Sequence, residues 1–367
     1  MRKFFCLVVA IFPLVAGLAA IPPDRALADP LDELALKPVP IVPDGRLNVG
    51  TVDGAGTVPI RLSHDWSHPQ PGVVRAVVAI HGLSRDDLLA GENAAWQANG
   101  TAQDTIIVTP QFLIQRDIDA YHLSDDVLRW SPHGWIRGSG AREPASISSY
   151  SVLDTILARL ADRRIFPRLG IVVIAGHSAG GQFVQRYAAV GHGQAPLDAL
   201  GIHIRYVVAN PSSYLYFTDD RPIPPGREAA SAACPNADAW HYGLDGRLPA
   251  YVPRPLDPKA LEEHYLGQDV VYLLGTADND PDQKALDKSC AAEQQGPTRF
   301  ARGIDYIAYL LSRHPGTMKQ RVMEVPGVGH SSFRMYDSAC GRAALFDEAG
   351  CTDLPLDAIE TLKANLK

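Results

Sequence analysis

Apolar residues run along this chain in two alternating rhythms. Short continuous runs rich in valine and isoleucine, at residues 73–80, 105–109, 169–175, 204–209, 269–274 and 321–325, read as strands buried on both faces. Between them lie segments whose apolar residues recur every three or four positions, at 90–99, 151–164, 179–190 and 303–313. The second of these ends in a basic turn with Pro167 just beyond, a helix stop signal. Such alternation predicts an α/β chain with a mostly parallel central sheet and helices on both faces. Ahead of it, residues 46–62 alternate around Asp53-Gly54-Ala55-Gly56, the pattern of an antiparallel hairpin.

Two stretches break the rhythm. Residues 111–150 form a long polar and aromatic excursion containing Trp130 and Trp135, of a length that suggests site-forming loops. Residues 210–266 separate two strands by far more than a crossover needs and carry Tyr214, Tyr216, Phe217, Trp240, Tyr242 and Tyr251. They are expected as a cap-like insertion, an aromatic shelf over the sheet's C-terminal edge. No repeat and no further boundary divides the chain, so 46–367 is expected as one domain.

The first 45 residues follow another logic. Arg2 and Lys3 precede an apolar run to Ala20, and Ala26-Leu27-Ala28 is a small-residue cleavage signature, so residues 1–28 read as a signal peptide. Pro13 and Gly17 interrupt the run and argue against a retained anchor. The proline-rich lead at 29–45 is expected to be extended and weakly ordered. Export to a periplasm or the medium changes the reading of charge and cysteine. Cleavage removes three basic residues and one acidic one, leaving 31 basic against 40 acidic, a net charge of −9 that disfavours nucleic acid or an anionic membrane as partner. Cys6 leaves with the signal; Cys340 and Cys351 enclose a short loop and are expected to pair, which leaves Cys234 for Cys290.

The candidate chemistry centres on Gly176-His177-Ser178-Ala179-Gly180, set without a gap between the strand at 169–175 and the helix at 179–190. This is a G-x-S-x-G elbow in its strand-turn-helix context. The turn is so tight that glycine is needed two residues either side of Ser178, and the Ala179 N–H points to where an oxyanion would form. A serine there needs a base and an acid to orient that base. Gly275-Thr276-Ala277-Asp278 follows the strand at 269–274 immediately, and His330 lies on the glycine loop 327–330 after the last strand.

Asp280 and Asp282 compete with Asp278, which lies nearest the strand end. The three also resemble the start of a calcium loop, but Gln283 and Ser289 stand where an EF-hand needs glycine and glutamate. His314 reads as a helix C-terminal residue, His64 and His68 as loop histidines, and His177 as pointing away from its neighbour Ser178.

With Ser178, Asp278 and His330 in this chain order, residues 46–345 resemble the α/β-hydrolase superfamily of serine hydrolases. The resemblance implies Ser178 as nucleophile, His330 as general base and then acid, and Asp278 holding the imidazole tautomer. It also implies an oxyanion hole from the N–H groups of Ala179 and Leu83, the latter on the His81-Gly82-Leu83 turn, with His81 structural. No metal or organic cofactor is required. Carboxylic ester hydrolysis, polyesters included, is the expected activity. C–C cleavage of β-diketones or amide hydrolysis by the same triad is the alternative, and a non-catalytic binding protein the third reading.

Overall fold

The structure, a computed structural model, describes residues 30–221 and 234–365; the expected signal peptide lies outside them. Strands β1 (Arg46–Thr51) and β2 (Gly54–Leu62) pair as the expected hairpin. They are followed by β3 (Arg75–Ile80), β4 (Thr105–Pro110), the short β5 (Leu113–Ile114) and β6 (Arg129–Trp130), β7 (Ile171–His177), β8 (His203–Ala209), β9 (Asp269–Gly275) and β10 (Arg321–Val325). Among the described residues, eight of these make one sheet in the order β1-β2-β4-β3-β7-β8-β9-β10. Everything from β4 to β10 is parallel, and the hairpin joins antiparallel through β2 on β4.

The helices are α1 (Pro30–Leu36), α2 (Ala90–Gln97), α3 (Gln115–Tyr121), α4 (Ser149–Leu160) and α5 (Ala179–Val190), with later ones at Pro258–Leu266, Arg299–Arg313, Ser332–Asp337, Ala339–Phe346 and Ile359–Asn365. Alternate strand residues feed two cores. Ala76, Val78, Val172 and Ile174 pack with α4, α5 and Arg299–Arg313, while Val77, Val173, Val207 and Leu273 face α2, Ser332–Asp337 and Ala339–Phe346. Burial on both faces explains the continuous apolar runs. The sheet order reverses direction at β3, whose neighbours are β4 and β7, so the loops leaving β3 and β7 open a crevice at the carboxyl ends of the strands.

Two expectations change. The lead is not loose: α1 lies within it, and Ala35 and Val39 are buried. Its anchor is Arg85, fully buried in the loop between β3 and the helix that starts at Ala90. Arg85 donates to the Ala35 and Lys37 carbonyls, each at 2.7 Å, and pairs with buried Asp117 at 3.1 Å. The Asp117 carboxylate also accepts the Val39 N–H, so one ion pair ties the lead to the loop.

The second change concerns the insertion. Tyr214, Tyr216 and Phe217 are core residues rather than a shelf. Tyr214 stacks on Tyr306 at 4.5 Å and Tyr216 packs against Tyr309 at 4.6 Å, both on the helix Arg299–Arg313. Trp130 and Trp135 of the earlier excursion are likewise fully buried. Disulfides join Cys234 to Cys290 and Cys340 to Cys351, the expected pairing. No described helix is long and apolar enough to cross a membrane.

Candidate active site

The elbow forms because three glycines let backbone approach backbone. A Cβ on Gly176 would lie 2.1 Å from the Gly180 carbonyl oxygen, and one on Gly180 would lie 2.2 Å from that of Ile80. Gly181 would meet the Ala209 carbonyl oxygen at 2.7 Å. Ser178 itself has φ 59°, a left-handed value that a serine adopts only where its surroundings impose it. Its N–H is tied to the Ala209 carbonyl at 2.9 Å, which fixes the hydroxyl at the head of α5.

The β9 and β10 loops bring the two other candidates to it. The His330 Nε2 lies 2.9 Å from the Ser178 Oγ, and its Nδ1 lies 2.7 Å from an Asp278 carboxylate oxygen. A carboxylate only accepts, so Nδ1 carries the proton and Nε2 is left to accept from the serine hydroxyl. Asp278 is 4 % exposed, whereas Asp280 and Asp282 point to solvent. His314 caps the helix Arg299–Arg313 and faces Glu262 at 3.1 Å, and the exposed His64 and His68 bond to nearby Ser63 and Asp65.

His177 does not reach Ser178 but lies behind the relay, its ring 4.6 Å from that of His330. Burial holds it neutral, well below the ordinary histidine range. Burial also lowers the pKa of His330; the nearby Arg299 charge adds to this, and Asp278 opposes it. His81 accepts the Phe112 N–H at Nε2 and bonds the Gly82 carbonyl through Nδ1, and burial pushes it down to about 3. It is a neutral strut under the Leu83 loop.

Sequence reasoning missed several residues that shape this site. Arg299 is buried and reaches the outer Asp278 oxygen at 3.4 Å, with Ser212 and Gln283 as further acceptors. The legible hint is a cation in the first turn of a helix, where the macrodipole opposes it. Gln182, one turn into α5, has its carbonyl oxygen held by Arg186 and Ser213. Arg186 can only donate, so the Gln182 amide NH₂ faces the opposite way.

Ser178 stands between two cavities. One, of about 300 Å³, is bordered by His330, Gly82, Leu83 and Phe333. The other, of about 230 Å³, is bordered by Leu83, Ala179, Gln182, Arg137 and Tyr242, with Leu31 and Asp32 of α1 on its rim. The excursion and the insertion therefore supply walls through Arg137 and Tyr242, while most of their aromatic residues serve the core. A surface groove of about 660 Å³ beside Trp96 and His64 holds none of the relay. Among the described residues, one group of three or more side chains has metal-ligand spacing, His177 with Asp278 and His330, and two of those are already bonded to each other.

No family model and no curated protein matches the sequence. Solved structures do match. A poly(3-hydroxybutyrate) depolymerase from Bordetella parapertussis is similar at a TM-score of 0.56 and 21% identity, over 91% of this chain and 99% of that one. Poly(aspartic acid) hydrolase-1 from Sphingomonas sp. KT-1 is similar at 0.52 and 22%, over 80% and 96%. The likenesses span 80–91% of this chain and nearly all of each neighbour, and they agree with the strand order and the elbow: this chain has the α/β-hydrolase fold.

Proposed function

We propose that the protein is an exported serine hydrolase that cleaves carboxylic esters, polyesters among them, through an acyl-enzyme. The observation that carries this reading is the unbroken chain from Ser178 through His330 to Asp278, at 2.9 and 2.7 Å, opening on cavities bordered by Ala179 and Leu83. In the reaction His330 Nε2 takes the Ser178 hydroxyl proton as Oγ attacks the ester carbonyl. The tetrahedral oxyanion accepts from the N–H groups of Ala179 and Leu83, and Asp278 stabilises the imidazolium from Nδ1. The Nε2 proton then passes to the departing alkoxide, and the acyl group stays on Ser178. Water enters, gives a proton to Nε2, and attacks the acyl carbonyl. Collapse returns that proton to Oγ and releases the acid.

The fold supports this reading, and so does a buried Arg299 that holds Asp278 in place from the side away from His330. Turnover of p-nitrophenyl butyrate by the mature protein and by Ser178→Ala tests it. The variant should lose measurable turnover while keeping the melting temperature of the parent. Undiminished hydrolysis by Ser178→Ala would refute the mechanism. Parallel assay of a β-diketone and of an anilide, compared by kcat/KM, places the bond class.

A further inference from the structure

The cavity on the Gln182 side of Ser178 has a feature that ester chemistry alone does not need. Arg137 borders it, half-buried, and among the described residues its guanidinium makes no hydrogen bond and no ion pair. Behind it lies Arg186, fully buried. That guanidinium is satisfied by neutral groups alone, the His241 carbonyl, the Gln182 amide oxygen and the Ser213 hydroxyl. Burial lowers the pKa of both, Arg186 to about 10, yet both stay charged at neutral pH.

Two carboxylates, Asp287 and Asp32, border the same cavity; neither makes an ion pair with Arg137 among the described residues, although the Asp287 charge acts on it from a distance. Asp287 accepts from the Tyr242 hydroxyl at 2.7 Å and from the Ser289 N–H, and Asp32 bonds His133 at 2.9 Å. The neutral His241 imidazole adds no charge. A half-buried guanidinium without a direct acceptor is open to an anion, and Arg137 offers a planar fork of donors at the cavity wall. The Gln182 NH₂ adds a second, neutral donor, since its oxygen is turned to Arg186.

The two cavities also differ in what they can hold during the reaction. His330 borders the first, so the leaving alcohol belongs there, within reach of the Nε2 proton. The acyl portion then occupies the second. From this we propose, resting on the ester-hydrolase reading above, that the acyl-side cavity takes an acyl group carrying its own carboxylate, paired with the Arg137 guanidinium and assisted by the Gln182 amide. Half-esters of dicarboxylic acids are the substrate class that fits.

Two measurements test it. In the first, kcat/KM for mono-p-nitrophenyl adipate is divided by that for p-nitrophenyl hexanoate, its uncharged counterpart. The ratio should exceed one in the parent and fall about tenfold or more in Arg137→Gln, with Arg137→Lys between, because lysine keeps the charge but not the fork. In the second, calorimetry follows adipate, the diacid product, binding to the parent and to both variants. Affinity should drop in the same order. A ratio near one, a ratio unmoved by Arg137→Gln, or adipate affinity equal in all three proteins would overturn the inference. Should Arg137→Gln fail to fold, Arg137→Lys decides by the same two readouts. Arg137-dependent adipate binding without any ester turnover would sink the hydrolase reading and leave the carboxylate site standing.

Discussion

The proposed nucleophile, Ser178, and the walls around it are held by opposite kinds of contact. From Ile171 to Val190 a single uninterrupted stretch makes the strand, the strained serine and the helix, and the clashes that enforce the turn involve backbone atoms of β3, β8 and the elbow itself. The walls are assembled across the chain. Arg85 finds its acceptors 32, 48 and 50 residues away, at Asp117, Lys37 and Ala35. Arg137 and Tyr242 face one cavity from two separate excursions. The elbow is thus encoded locally, whereas the partners of Ser178 and the cavity walls are brought to it by long-range contacts.

The relay joins the two regimes, and breaking it gives the largest effect. Asp278→Asn should lower kcat by about four orders of magnitude, because the amide favours the wrong imidazole tautomer. Asp280→Asn, altering a solvent-facing carboxylate in the same loop, should leave kcat near the parent value. A loss confined to Asp280→Asn would show that the acid is misassigned.

On the wall side, Arg85→Met strands a buried Asp117 and should cost about 3–5 kcal/mol in denaturant unfolding. Limited proteolysis of that variant should cut first within residues 30–39, and resistance there would contradict the anchoring role. On the elbow side, Gly180→Ala drives a methyl into the Ile80 carbonyl and should cost about 2–3 kcal/mol. Gly201→Ala is its control. That glycine has φ +66° but nothing within 4 Å, so only the backbone strain of about 1 kcal/mol is expected.

Acid should act on both regions more gently. The relay needs neutral His330, whose pKa is lowered, so kcat/KM should hold through neutral pH and fall only below the ordinary histidine value of about 6.5. His81, His177 and His241 are buried neutral, with folded values below the unfolded ones. Their stabilising contribution is complete above about pH 6.5 and is lost as the pH falls toward the folded value, about 3 for His81. A melting temperature unchanged between pH 7 and pH 4, or one that rises, would contradict that sign.

What was legible beforehand follows the same division. The parallel strands were readable because burial on both faces leaves continuous apolar runs, and Ser178, Asp278 and His330 because each stands at a strand end in a glycine-marked turn. The helix before Pro167 begins at Ser149 rather than 151, and the last long helix at Arg299 rather than 303, because Ser148 and Thr298 cap them through side-chain hydroxyls. Arg137, Arg85 with Asp117, and the docked lead were not readable, and Arg299 only as a cation in a helix's first turn. Each is a polar residue whose meaning lies in a partner, or in the lack of one, that only the folded chain brings near. Tyr214 and Tyr216 illustrate the converse: aromatic residues in an irregular stretch resemble a binding shelf until the facing helix shows its own tyrosines.

The central claim is that Ser178 is an activated nucleophile. Incubating the folded protein with a fluorophosphonate and mapping the modified peptide tests it most directly. The account predicts covalent modification at Ser178, slowed as the pH falls below the histidine range and lost in Asp278→Asn. Folded protein that stays unmodified, or that carries the label elsewhere, would contradict it.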